Sequence, residues 1–151
     1  MNWSQDVILR HSQRLLKSYQ RWLGQPLLPF GSVEQQAQAL YEAPFVVVSH
    51  GVEADPILNY GNQQALDLWE MDWQTLTQTP SRLTAEPINQ RDRAKLLAQA
   101  KEKGYIDHYR SIRISSTGRR FWIENVTLWT VLDETNQPCG QAATFATWTF
   151  I

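Results

Sequence analysis

The chain reads as an α+β domain: a five-stranded antiparallel sheet with short helices on one face and an additional N-terminal amphipathic helix. Three observations predict this. Two short β-branched segments occur early, at 44–50 and 57–60, and three long strand-like segments close the chain, at 105–115, 119–132 and 139–150. Between the two groups, helix caps and helical spacing recur. A single sheet needs an apolar face covered, and the intervening helices supply that cover.

The elements follow in order. Ser4 is placed to cap a first helix, in which Ile8, Leu15, Leu16, Tyr19, Trp22 and Leu23 gather on one side. Gly24 and Pro26 end it, and Arg10, Arg14, Lys17 and Arg21 form the opposite, hydrated stripe. Ser32 caps a short helix over 33–41, and residues 1–42 together form an N-terminal helical extension to a domain spanning 43–151. The run from Pro44 to His50 is aromatic and β-branched, and the few residues before Ile57-Leu58-Asn59-Tyr60 make an antiparallel hairpin the economical connection. Asn62 caps a helix bearing Ala65, Leu66 and Trp69, and Asp72 caps a turn with Trp73 and Leu76. Asn89 and Asp92 have capping-box spacing and introduce a helix with Ala94, Leu96, Leu97 and Ala100 that stops at Gly104. Thr117-Gly118 and the segment from Asp133 to Pro138 provide the turns of the closing meander.

Composition excludes several classes. The net charge of -1 over 151 residues gives no broad positive field for nucleic acid, so no direct nucleic-acid role is expected. The single cysteine, Cys139, forms no intramolecular disulfide, no segment has the length and apolarity to span a bilayer, and the N-terminus lacks a signal peptide's apolar run. A cytoplasmic protein without a membrane partner is expected.

The order of two strands, short helices, a longer helix and three strands resembles a PAS domain, a sensory fold with a ligand-sized space between sheet and helices. The blocks APFVVVSHG at 43–51, DPILNYGNQQALDLWE at 55–70, PSRLTAEP at 80–87 and YRSIRISSTGRRFWIENVTLW at 109–129 resemble the MEKHLA domain, a PAS-like family. The resemblance covers nearly the whole chain and is to the standalone bacterial kind. It implies a PAS-like sheet and a sensing or regulatory role. The Met-Glu-Lys-His-Leu-Ala string that names the family is absent, so no role of those residues transfers.

Chemistry-bearing residues give few constellations. His50, Glu53 and Asp55 combine an imidazole with two carboxylates, but the spacing is not that of a metal site, and no nucleophile motif accompanies Ser49-His50. His108 fits a partly solvated strand position. No histidine lies on the helix after Asn89, where haem-binding PAS domains carry their ligand, and Cys139 lies in the last strand rather than where light-sensing PAS domains place their flavin-reactive cysteine. No cofactor, metal or catalytic residue is assigned. Arg110, Arg113, Arg119 and Arg120 bracket a hairpin and suit a carboxylate or phosphate, although strand alternation need not aim them at one point.

The seven tryptophans are the better clue. Phe121-Trp122-Ile123 puts large side chains on both sheet faces, so the outer face needs a cover, and the N-terminal helix is available, from its own chain or across a dimer. The leading reading is a non-enzymatic sensory or small-molecule-binding regulatory module. Its ligand would be small and apolar or aromatic, held by Tyr60, Asn62, Trp69, Tyr109 and Trp122, which combine apolar area with hydrogen-bonding groups. The alternative is a protein-interaction or dimerisation module with a filled core, a homodimer forming through the N-terminal helix and outer sheet face. A metal-dependent enzyme built on His50 comes third.

Overall fold

Local capping sets most of the helices. In the computed structural model, which describes residues 3–151, α1 (Asp6–Leu23) ends at Gly24, whose φ of 77° is the left-handed conformation that glycine adopts without penalty. Its N-cap is Gln5 rather than the expected Ser4. Ser32 and Gln35 form a reciprocal capping box on α2 (Val33–Tyr41). Asn62 and Asp72 cap α3 (Gln63–Trp69) and α4 (Trp73–Leu76) through backbone N–H groups three residues on. A 3₁₀ turn over Ser81–Thr84 leads to α5 (Pro87–Lys103). This last helix starts before the expected Asn89 cap, because Pro87 occupies its first turn, where a missing N–H costs nothing.

The strands are β1 (Val46–His50), β2 (Leu58–Gly61), β3 (Tyr105–Ile114), β4 (Arg120–Leu132), β5 (Pro138–Phe145) and β6 (Thr147–Phe150). They pair antiparallel in the order β2-β1-β5-β4-β3, and β6 pairs with β4. Strands β5 and β6 keep one register along the same edge of β4, so six segments fill five positions across the sheet. The expected single closing strand is interrupted at Ala146, opposite Asn125, which has a φ of 52°. A residue in that conformation cannot continue a flat ladder, and the partner strand bends with it. The chain therefore forms the α+β, five-stranded antiparallel fold with short helices and an N-terminal helix.

Alternation divides the core. On one face Val47, Trp129, Val131 and Ala142 pack with Tyr60 against Ile8, Leu15 and Leu16 of α1 and Leu40 of α2. On the other, Val46, Phe121, Ile123 and Phe145 pack against Ala65, Leu68 and Trp69 of α3. Each such side chain contributes roughly 1.5–3 kcal/mol on burial, so α1 is an integral layer. Polar contacts fix its register: Trp22 Nε1 donates to the Thr130 carbonyl at 2.8 Å, and the Leu132 N–H donates to Ser18 Oγ at 2.8 Å. The outer sheet face is thus covered by the chain's own helix at the C-terminal end of β4. At the other end Trp122 is half-buried, with the Arg110 guanidinium 3.5 Å from its ring centroid.

Candidate functional site

Between α5 and the sheet lies a cavity of about 40 Å³. Its apolar walls come from Val48 of β1, Leu96 and Leu97 of α5, Ile123 and Leu128 of β4, and Phe145 of β5. Trp69 closes the end next to α3. Two strand-to-helix bonds hold the roof, from Gln141 Nε2 to the Leu97 carbonyl at 2.8 Å and from Thr130 Oγ1 to the Ala100 carbonyl at 3.2 Å.

The polar lining is unusual in its charge. Arg113 of β3 is 6% exposed, and its Nη1 donates to Ser111 Oγ at 2.5 Å and to the Ile112 carbonyl at 2.9 Å. Arg93 of α5 lines the same space, and no hydrogen bond or carboxylate partner holds its guanidinium among the described residues. Burial first, then the nearby Arg113 charge, lowers the Arg93 pKa to about 10. Burial likewise lowers that of Arg113 and raises that of Tyr109, which lies beside both. No aspartate or glutamate lines the cavity.

Two further polar atoms of lining residues lack partners. His50 Nδ1 lies 3.0 Å from the Gly51 carbonyl, which requires a proton on Nδ1 and leaves the buried Nε2 unpartnered. Burial holds this imidazole below its ordinary pKa, with Arg93 lowering it further against the opposing pull of the Gly51 hydrogen bond and Glu53. The indole N–H of Trp69 is also buried without an acceptor. Leaving such a donor unmade costs about 1–3 kcal/mol.

The five sequence-derived candidates separate. Trp69 and Tyr109 line the cavity. Tyr60 faces α1, its ring centroid 5.8 Å from that of His11 and 5.6 Å from that of Trp73. Asn62 is fully buried, accepting from the N–H groups of Val47 and Ala65 and donating to the carbonyls of Leu40 and Phe45, so its amide ties α2, β1 and α3 together. Trp122 stacks with Arg110 away from the cavity.

Tyr60 and Leu58 are two residues apart, yet only Leu58 lines the cavity, because the β1–β2 register shifts between Ser49 and His50. Arg93 is absent from the sequence candidates, and His50 stands among them only as a metal-ligand or catalytic group with Glu53 and Asp55, not as a contact for a small molecule. Spacing could have found the first: Arg93, Leu97 and Ala100 follow the four-then-three step of one helix face, the face that turns to the sheet. The other constellations disperse. Asp55 accepts from Arg82 Nε at 3.2 Å, and Glu53 accepts from the Ile57 N–H at 3.0 Å. Among the described residues, no group of three or more His, Cys, Asp or Glu side chains is placed to hold a metal ion, and no helix is long and apolar enough to cross a membrane. Exposed His108 sits in a β-bulge with a φ of 58°, its Nδ1 2.6 Å from Asn125 Oδ1.

Known proteins agree with this architecture. The chain is 28% identical over 98 residues to the homeobox-leucine zipper protein ATHB-9 of Arabidopsis thaliana, a match covering 65% of this chain and 12% of that protein's length. The PAS domain of a protein from Colwellia psychrerythraea superposes with a TM-score of 0.65 at 17% identity, covering 79% of this chain and 96% of that one. An RNA-binding light-oxygen-voltage receptor gives 0.64 at 15% identity, covering 78% of this chain and 36% of that one. A light-oxygen-voltage domain studied with a flavin analogue gives 0.60 at 14% identity, covering 78% and 84%. The MEKHLA domain model matches residues 9–150, and the chain belongs to that family, built on the PAS-like fold.

Proposed function

We propose that this chain is a non-enzymatic sensory or regulatory module in which a small molecule occupies the cavity beneath α5 and shifts that helix against the sheet. The observation that carries the reading is the cavity with its unpartnered polar lining, since a ligand supplies what the protein leaves unmade. Helix α5 suits a reporter. Along its 17 residues only Ala100 is fully buried, so the helix moves at the expense of few apolar contacts.

The movement has a route outward. Gly104 ends α5 with a φ of 92°, its carbonyl accepts from the Thr130 N–H at 2.8 Å, and the Trp22 ring of α1 lies over its Cα. A shift at the end of α5 is therefore felt by α1, whose hydrated stripe is the partner surface. A homodimer through that helix is the second reading, and the exposed Val7 favours it. Flavin of the light-oxygen-voltage kind does not fit: Cys139 packs on the α1 side of the sheet, and the cavity is far smaller than a flavin ring system.

Hydrogen exchange read with native mass spectrometry tests the proposal. Protein purified without heating is expected to carry a small adduct that is lost on unfolding, and its loss to raise exchange in 87–103 above the rest of the chain. An adduct-free protein with α5 already fully protected overturns the reading.

A further inference from the structure

The cavity's charge names the chemistry of its occupant. Two guanidiniums reach it from different elements, Arg93 from α5 and Arg113 from β3, and no acidic residue lines it. Buried cations are ordinarily matched by a carboxylate or a metal-free anion site, because an isolated charge out of water is costly. Here the protein supplies Tyr109 and the neighbouring Ser111 and Ile112 oxygens to Arg113, whereas half-buried Arg93 has Tyr109 nearby but no hydrogen bond or carboxylate partner among the described residues.

The remaining polar atoms point the same way. The Trp69 indole is a donor only, and a carboxylate oxygen is the acceptor it lacks. His50 contributes a bare Nε2, which becomes a third cationic donor if an arriving anion holds a proton there. Leu96, Leu97, Ile123 and Phe145 make the rest of the wall apolar, which a fully hydrated anion such as phosphate would leave poorly matched. A volume of about 40 Å³ admits roughly three waters, so the occupant is small unless α5 moves.

We propose that the cavity binds a small monocarboxylate, its carboxylate between Arg93 and Arg113 and within reach of Trp69, its short aliphatic tail against Leu96, Leu97 and Ile123. This rests on the reading of the cavity as a ligand site and adds its charge class. Planar guanidinium and carboxylate match in geometry, and charge-assisted hydrogen bonds are about twice as strong as neutral ones. Arg93 joins ligand and helix directly, so occupancy draws the first half of α5 toward the sheet.

The test compares isosteric pairs on the full chain at constant ionic strength: acetate with acetamide, and propionate with propionamide, with inorganic phosphate as a third arm. Binding is read from the Trp69 indole N–H signal in ¹⁵N NMR spectra, assigned by its loss in Trp69→Phe. Each carboxylate is expected to move that signal downfield saturably, and its amide to bind at least about tenfold more weakly. Arg93→Gln, a substitution on a solvent-reaching helix that leaves the Arg113 side untouched, is expected to weaken propionate by about tenfold or more and to leave propionamide unchanged. Amides that bind as well as the acids overturn the charge assignment while leaving a ligand site. Phosphate that matches propionate overturns the carboxylate and its apolar subsite. No saturable shift with any probe overturns both the inference and the site on which it rests.

Discussion

His11 Nε2 on α1 lies 2.9 Å from Ser49 Oγ on β1, and that hydroxyl donates its proton to Asn59 Oδ1 at 2.5 Å. His11 must therefore donate, and the neutral imidazole with its proton on Nε2 is the form that pins α1 to the first hairpin. Burial, and secondarily the Arg14 charge, lower its pKa to about 4 from the ordinary 6.5. The unfolded chain thus binds a proton more readily than the folded one. Stability is complete above pH 6.5 and falls as pH drops toward 4, by about 2 kcal/mol at pH 5. The His50 shift has the same sign. Urea titrations at pH 7.5 and 5 are expected to show this loss in the native protein and a loss about 2 kcal/mol smaller in His11→Gln; equal losses would refute the role of His11.

Asn62 is a structural hub. Replacing it with alanine strands two N–H groups and two carbonyls in a dry interior, and a loss of about 3–5 kcal/mol is expected. Asn62→Asp keeps the acceptor but sets a second carboxylate oxygen against the Leu40 and Phe45 carbonyls, so it is expected to be at least as damaging. Chemical denaturation of both variants measures the order. An aspartate variant of native stability would contradict the assigned orientation of the amide.

Gly104 and Trp22 are coupled. A Cβ at Gly104 would lie 2.5 Å from Trp22 Cε3, at a φ of 92° that disfavours any side chain. Gly104→Ala is expected to cost about 2 kcal/mol or more. In a Trp22→Leu background the steric part disappears and only the backbone strain remains, so the double-mutant cycle should show a coupling of about 1 kcal/mol. Strict additivity would mean that α1 does not sense the α5–β3 junction.

Surface and buried charges are expected to behave in opposite ways. Arg14 pairs with Glu134 at 2.7 Å, but the glutamate side chain is 58% exposed, so Glu134→Gln should change stability by less than about 1 kcal/mol. Arg93→Met removes a half-buried cation without a counter-charge and should leave the melting temperature of the ligand-free protein unchanged or raise it. Differential scanning calorimetry decides, and a marked drop for Arg93→Met would reveal an anionic partner that the geometry does not show.

Much of the fold was legible because its signals are short-ranged. Ser32, Asn62 and Asp72 cap groups three residues away, and Gly24 ends α1 through its own φ, so those boundaries are written in adjacent residues. Competing local signals hide the rest: Pro87 starts α5 ahead of the Asn89 cap, and Asn125 bends the closing strand at Ala146, its partner across the sheet and remote in sequence. Trp69 and Tyr109, chosen with Tyr60, Asn62 and Trp122 for combining apolar area with hydrogen-bonding groups, line the cavity, but that criterion does not separate them from the other three. Tyr60 was not separable from Leu58, because a register shift between β1 and β2 undoes the alternation that sequence relies on.

By itself the sequence determined the order of elements, the meander, the amphipathic first helix and the membership of a PAS-like family. Only the tertiary structure decided that α1 covers its own sheet and that Arg93 and Arg113, twenty positions apart and on a helix and a strand, converge on one cavity without an acid between them. The reason is physical. Caps and periodicity depend on bonds within a turn or a strand, whereas the charge of a cavity depends on which remote side chains are desolvated together, and no local pattern records that.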